Sequence, residues 1–95
     1  MTPKLPILAA LAVSTAGHDK GRAYLIVKVI DHEFVAVADG EYRGLKAPKK
    51  KRLKHLHLMP AQAFDSGMLE KIIDGTLKDN ELKRYLLKCN NAVMQ

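Results

Sequence analysis

The chain has 95 residues, of which 47% are hydrophobic and 27% charged, and its formal net charge at pH 7 is +6. This length accommodates one domain, or a small domain with an appendage, and a modest core that buries about 60–65% of the unfolded surface. The single cysteine, Cys89, excludes an intrachain disulfide and fits a reducing compartment, and no apolar run reaches the length of a membrane span. We therefore expect a cytoplasmic monomer without membrane contact.

The first apolar run covers residues 5–13, after a single lysine and before several small residues. Such a pattern is compatible with a secretory signal peptide. However, only one positive charge precedes the run, Pro6 interrupts it, and cleavage after Ala16 would remove the strand that leads into the next loop. The favoured interpretation is a first buried strand at about 9–14.

A glycine-bracketed turn follows this strand. Gly17 and Gly21 can adopt positive φ without a Cβ clash, and Asp19 between them can accept hydrogen bonds from its own downstream backbone. A nucleoside-triphosphate loop is excluded, because that loop needs four residues between its glycines, followed by Lys and Ser or Thr. Either the turn is purely structural, or it is a compact cationic loop that contacts phosphate through His18, Lys20 and Arg22.

Three further strands are predicted next. Residues 23–31 are rich in branched apolar side chains, residues 31–33 form a polar turn, and residues 34–38 form the following strand. Asp39-Gly40 signals a two-residue hairpin, because glycine supplies the positive φ that such a turn needs. The return strand is then predicted at about 42–46.

Several of these residues resemble the KOW motif of ribosomal proteins and transcription elongation factors: Gly17, Asp19, Lys20, Gly21, Ile26 and Val29. The segment 35–40, Val-Ala-Val-Ala-Asp-Gly, resembles the second hairpin of KOW-type large-subunit ribosomal proteins. Short bacterial KOW-domain RNA-binding proteins are similar over about residues 13–58, although Tyr24 stands where the motif usually has glycine. The resemblance implies an SH3-like barrel that binds ribosomal RNA in or near the large ribosomal subunit, with ribosomal proteins as possible further partners.

The net charge is concentrated in residues 43–57, which hold seven Lys or Arg and no acid. This concentration predicts a localised basic patch. Residues 49–52 are expected to form a solvated loop, and the imperfect alternation of residues 52–58 suggests a fifth strand. The patch is either a solubilising surface or, as we favour, an RNA-backbone grip formed by Arg43, Lys46, Lys49, Lys50, Lys51, Arg52 and Lys54.

Two aromatic side chains could stack on bases, Tyr42 beside Arg43 and Tyr24 at the loop exit, although a tyrosine in a strand is more often half-buried packing. Four histidines raise the question of a metal, and His55 and His57 would share a strand face, but no third ligand is evident. No nucleophile is paired with a base, so we expect neither enzymatic activity nor a cofactor.

Two short helices are predicted after the strand region ends at Met59-Pro60. Asp65-Ser66 can cap a helix over about 67–74 that Gly75 terminates. Residues 76–79 match a capping box, and a second helix then runs to about Lys88. The apolar stripe of these helices is expected to be core, with a partner-docking surface as the alternative: Met68, Leu69, Ile72, Ile73, Leu82, Tyr85, Leu86 and Cys89.

The sequence thus predicts a mainly β protein, with a small SH3-like KOW barrel of about five antiparallel strands in residues 1–60 and a helical appendage in residues 61–95. The function predicted is RNA binding without chemistry. The alternative is a protein-interaction module, in which the helices would be the contact surface and the basic loop would meet an acidic partner.

Overall fold

The computed structural model describes residues 8–59 and 65–93. Five strands precede two helices, so the predicted order of a mainly β part followed by a helical part is confirmed. The elements are β1 (Leu11–Ser14), β2 (Ala23–Val29), β3 (Phe34–Ala38), β4 (Lys49–Arg52), β5 (Leu56–Leu58), α1 (Ser66–Asp74) and α2 (Asp79–Val93).

The five strands form one antiparallel sheet in the order β4-β3-β2-β1-β5. A 3-10 turn, Leu53–His55, leads directly from β4 at one edge to β5 at the other edge. The sheet therefore bends round on itself, which is the arrangement of a small SH3-like barrel, and the predicted fold class is confirmed.

Strand β2 shows how the sequence builds two cores. Side chains alternate between the two faces of a strand. Tyr24 and Ile26 face the interior of the bent sheet, whereas Leu25 faces the helices. The interior cluster comprises Ala12, Tyr24, Ile26, Val35, Val37 and Leu56. The cluster between sheet and helices comprises Leu11, Leu25, Ala38, Met68, Leu82 and Leu86.

The helical stripe therefore belongs largely to the core. Met68, Leu82 and Leu86 are buried, and Ile72, Tyr85 and Cys89 are partly buried against the same cluster. Ile73 is an exception, since 67% of it is exposed. The predicted core role is confirmed for most of the stripe, because this face of the helices packs against the sheet.

The predicted position of the fourth strand was wrong. Residues 42–46 lie in a loop, and β4 is formed by residues 49–52, which we had expected to be solvated. The prediction of a two-residue hairpin turn at Asp39-Gly40 was also wrong, although Gly40 does have a positive φ of 82°. The Asp39 carboxylate accepts the backbone N–H groups of Glu41 and Arg43, so the chain forms a compact loop here.

Most helix boundaries follow their local signals. The Asp65 carboxylate accepts the Gly67 N–H as predicted for an N-cap, and Gly75 ends α1 in the left-handed conformation at φ 76°. The prediction of a capping box at residues 76–79 was wrong. The Thr76 N–H donates to the Lys71 carbonyl at the end of α1, and α2 begins only at Asp79. Helix α2 is also longer than predicted, extending to Val93.

The strand boundaries differ from the predictions by a few residues. β1 begins at Leu11 and β2 ends at Val29. Residues 1–7 and Pro60 lie outside the described residues. The start of the N-terminal apolar run and the predicted end of the strand region at Pro60 therefore also lie outside them. Within residues 8–59 and 65–93, no helix is long and apolar enough to cross a membrane.

Candidate nucleic-acid interface

The β1–β2 loop, residues 15–22, is anchored by a buried carboxylate. Asp19 is 8% exposed and accepts hydrogen bonds from Ser14 Oγ at 2.8 Å and Tyr24 Oη at 2.9 Å. It also pairs with Lys51 Nζ at 2.8 Å and Lys49 Nζ at 3.0 Å. Three strands of the sheet, β1, β2 and β4, therefore hold the loop in place through one side chain.

The electrostatics of this cluster favour the ionised carboxylate. Burial by itself would raise the pKa of Asp19, but the hydrogen bonds from Lys51, Lys49, Ser14 and Tyr24 together hold it far below its ordinary value. Burial, and then the hydrogen bond to Asp19, raise the pKa of the Tyr24 phenol to about 12. Tyr24 thus acts as a buried hydrogen-bond donor.

Strand alternation divides the basic run of β4 into two pairs. Lys49 and Lys51 point toward Asp19, and Lys51 is only 8% exposed. Lys50 and Arg52 lie on the other face, where Lys50 Nζ is 4.4 Å and Arg52 Cζ 4.9 Å from the centre of the Phe34 ring. The run is therefore half structural, because two of its four charged side chains pair with the same carboxylate inside the protein.

The β1–β2 loop and the β3–β4 loop, residues 39–48, lie at the same end of the sheet. β1 and β3 both pair antiparallel with β2, so they run in the same direction and the loops that follow them lie at the same end of the sheet. Direct contact joins the loops, since Arg22 Cζ lies 3.9 Å from the centre of the Tyr42 ring. We call the basic side chains of these two loops the loop cluster: His18, Lys20, Arg22, Arg43 and Lys46.

Exposure separates the predicted RNA-binding residues into three groups. Six are exposed: His18, Lys20, Arg43, Lys46, Lys50 and Lys54. Arg22, Lys49 and Arg52 are half-buried, and Lys51 is buried. Among the described residues, the six exposed side chains have no carboxylate within ion-pair distance, whereas Arg52 pairs with Glu33 at 2.6 Å. Of the ten predicted residues, those whose side chains are exposed to a ligand are therefore four members of the loop cluster together with Lys50 and Lys54.

The β3–β4 loop is fixed to helix α2. Asp79 Oδ1 accepts the Leu45 N–H at 2.7 Å, and the close approach of Gly40 to the Asp79 backbone leaves no room for a Cβ atom. Lys83 Nζ lies 3.6 Å from a Glu41 carboxylate oxygen. Helix α2 thus positions the loop that carries two of the five side chains of the loop cluster.

The histidines are dispersed. His55 belongs to the 3-10 turn and His57 to β5, so the prediction that they share a strand face was wrong. His18 and His32 lie in separate loops. Within the described ranges, no group of three His, Cys, Asp or Glu side chains could hold a metal ion.

Sequence reasoning missed the role of Asp19 as the centre of an ion-pair cluster. One signal was present, a single acid within a basic loop together with lysines at alternate positions of a later segment. However, the pairing joins residues 30 and 32 positions apart, so it could not be read locally.

No protein-family model matches the chain, and no curated protein matches it at a significant level.

Proposed function

We propose that this protein binds RNA through the loop cluster, with Lys50 and Lys54 as outlying contacts. The observation that carries the proposal is a set of exposed basic side chains on two adjoining loops, none of which lies within ion-pair distance of a carboxylate among the described residues. Such a surface attracts phosphate, and release of counterions drives the binding.

The two loops are suited to this role because they are held by the fold. Asp19 fixes the first loop, and Asp39 and Asp79 fix the second. Cations held in place lose less conformational entropy when they bind. Phosphate contacts give affinity with little base preference, so the resemblance to KOW proteins supplies the finer proposal that the RNA is ribosomal.

The experiment measures RNA binding across salt for the wild type and two double variants with equal charge change. Lys20→Ala/Arg43→Ala removes two members of the loop cluster, and Arg84→Ala/Lys88→Ala removes two exposed cations of α2. On single-stranded RNA, the first variant should flatten the slope of log affinity against log salt by about 1.4, because each contact contributes about 0.7. The helix variant should retain the wild-type slope.

Equal slopes for the two variants would refute the loop cluster as the binding surface. A ribosomal RNA fragment and an unrelated RNA of equal length test the finer proposal, which requires tighter binding of the ribosomal fragment. Replacing all of residues 49–52 is unsuitable as a test, since Lys49 and Lys51 maintain the fold through Asp19.

Most of the apolar stripe of the helices packs against the sheet. The helices therefore leave little of the contact surface that a protein-interaction module would need.

A further inference from the structure

Tyr42 is the most exposed aromatic side chain in the described part of the chain. It is 66% exposed, whereas Tyr24 is buried and Phe34 and Tyr85 are partly buried. It lies in the β3–β4 loop, beside Arg43 of the loop cluster and in contact with Arg22. A large ring left in water among cations is the arrangement used to stack bases of single-stranded nucleic acids.

The backbone on both sides of Tyr42 is held. Asp39 Oδ1 accepts the N–H groups of Glu41 and Arg43, each at 2.9 Å. The Arg43 carbonyl in turn accepts the N–H groups of Asp39 and Gly40, at 3.0 and 3.1 Å. The ring therefore projects from a closed turn, and a base that stacks on it meets a preorganised surface.

Arg22 occupies one face of the ring. Its guanidinium carbon is 3.9 Å from the ring centre, the distance of a stacked cation–π pair. The exposure of Tyr42 shows that much of the ring remains accessible beyond this contact. The side chains of Arg43 and Lys46, in the same loop, are exposed and can meet phosphates of a strand whose base stacks on Tyr42.

We infer that Tyr42 stacks on an unpaired base, so that the ligand class of the loop cluster is single-stranded RNA. This inference rests on the proposed function. Bases inside a duplex are already stacked and paired, and offer no face to a tyrosine that projects from a loop. Duplex RNA can meet only the cations, and it should bind through charge alone.

The test uses a short oligouridylate, an RNA duplex of the same number of phosphates, and inorganic polyphosphate, which has no bases. Tyr42→Ala should weaken oligouridylate binding about 5- to 150-fold, the range for losing one stacked base, and should leave duplex binding and the salt slope unchanged. Tyr42→Phe keeps the ring and should bind oligouridylate like the wild type.

A second variant reports stacking directly. The chain has no tryptophan, so Tyr42→Trp introduces a single indole fluorophore at this position. Oligouridylate should quench its fluorescence, and polyphosphate should bind without the same quenching. This measurement does not depend on how well the alanine variant binds.

The outcomes separate the two proposals. If Tyr42→Ala loses oligouridylate and duplex binding equally, or if oligouridylate binds without changing the Tyr42→Trp fluorescence, the stacking inference is refuted and RNA binding stands. If the wild type binds neither RNA at moderate salt, the proposed function is refuted, and the inference with it.

Discussion

Neutralising Asp19 should remove a large part of the stability of this fold. The carboxylate is buried and compensates Lys51, which is buried as well. Removing one partner of a buried ion pair costs about 3–5 kcal/mol. In Asp19→Asn the amide oxygen can still accept hydrogen bonds, and Lys49 is partly solvated, so we expect the lower end, about 3 kcal/mol.

This loss is large for a chain of this length, because domains have a total stability of about 5–15 kcal/mol. It corresponds to a decrease in the unfolding temperature of about 12–24 °C for a domain of about 100 residues. The assay is urea and thermal unfolding followed by circular dichroism at pH 7. The matched control is Glu33→Gln, which makes the same chemical change in the exposed pair with Arg52 and should cost less than about 1 kcal/mol.

The pH dependence provides a second readout of the same carboxylate. Because the pKa of Asp19 is lower in the folded protein than its ordinary value of 3.8, the unfolded state takes up the proton first as the pH falls. The stability that Asp19 contributes is therefore complete above about pH 5 and is lost as the pH falls through 3.8 and below. The difference between wild type and Asp19→Asn should decrease in the same direction.

The reasoning would be refuted if Asp19→Asn unfolded at the same urea concentration as Glu33→Gln at pH 7. A stability difference that stayed constant down to pH 2 would also contradict it, since the difference would then not come from the ionised carboxylate.

Two further predictions test how the helices are attached to the sheet. Gly40→Ala should destabilise the protein by more than Gly21→Ala, because both glycines have positive φ but only the new Cβ at position 40 would collide with the backbone of Asp79. Urea unfolding should show about 1 kcal/mol for Gly21→Ala and a clearly larger loss for Gly40→Ala; equal losses would contradict the packing of this loop on α2. Leu82→Ala should cost about 2–5 kcal/mol because it leaves a cavity between sheet and helices, whereas Leu87→Ala, at an exposed position of α2, should change stability by about 0.5 kcal/mol or less. Similar values for the two leucine variants would show that α2 is not part of the cooperative core.

Elements with strong local signals were predicted well. Strand β3 was predicted at 34–38 and lies there, because alternating branched side chains between turn residues specify a strand locally. Helix α1 was predicted from the Asp65 cap to the Gly75 stop for the same reason. The loop between Gly17 and Gly21 was also recognised, and both glycines have positive φ.

The candidate site was predicted less completely. The sequence indicated which segments are cationic, and the structure gathers most of their exposed side chains around two adjoining loops. It did not indicate that Arg22 would lie on the Tyr42 ring, because the two residues are in different loops. Whether RNA occupies this surface stays a prediction.

What the sequence by itself determined is therefore the local architecture: most strands, the caps of α1, the turn glycines and the concentration of positive charge. The path of residues 39–52 was decided only by the tertiary structure. A run of four cations repels itself in isolation, and it becomes a strand here because Asp19, brought across the sheet from the first loop, compensates Lys49 and Lys51. The stability of strand β4 therefore depends on a contact between distant segments, and such a contact exists only after the chain has folded.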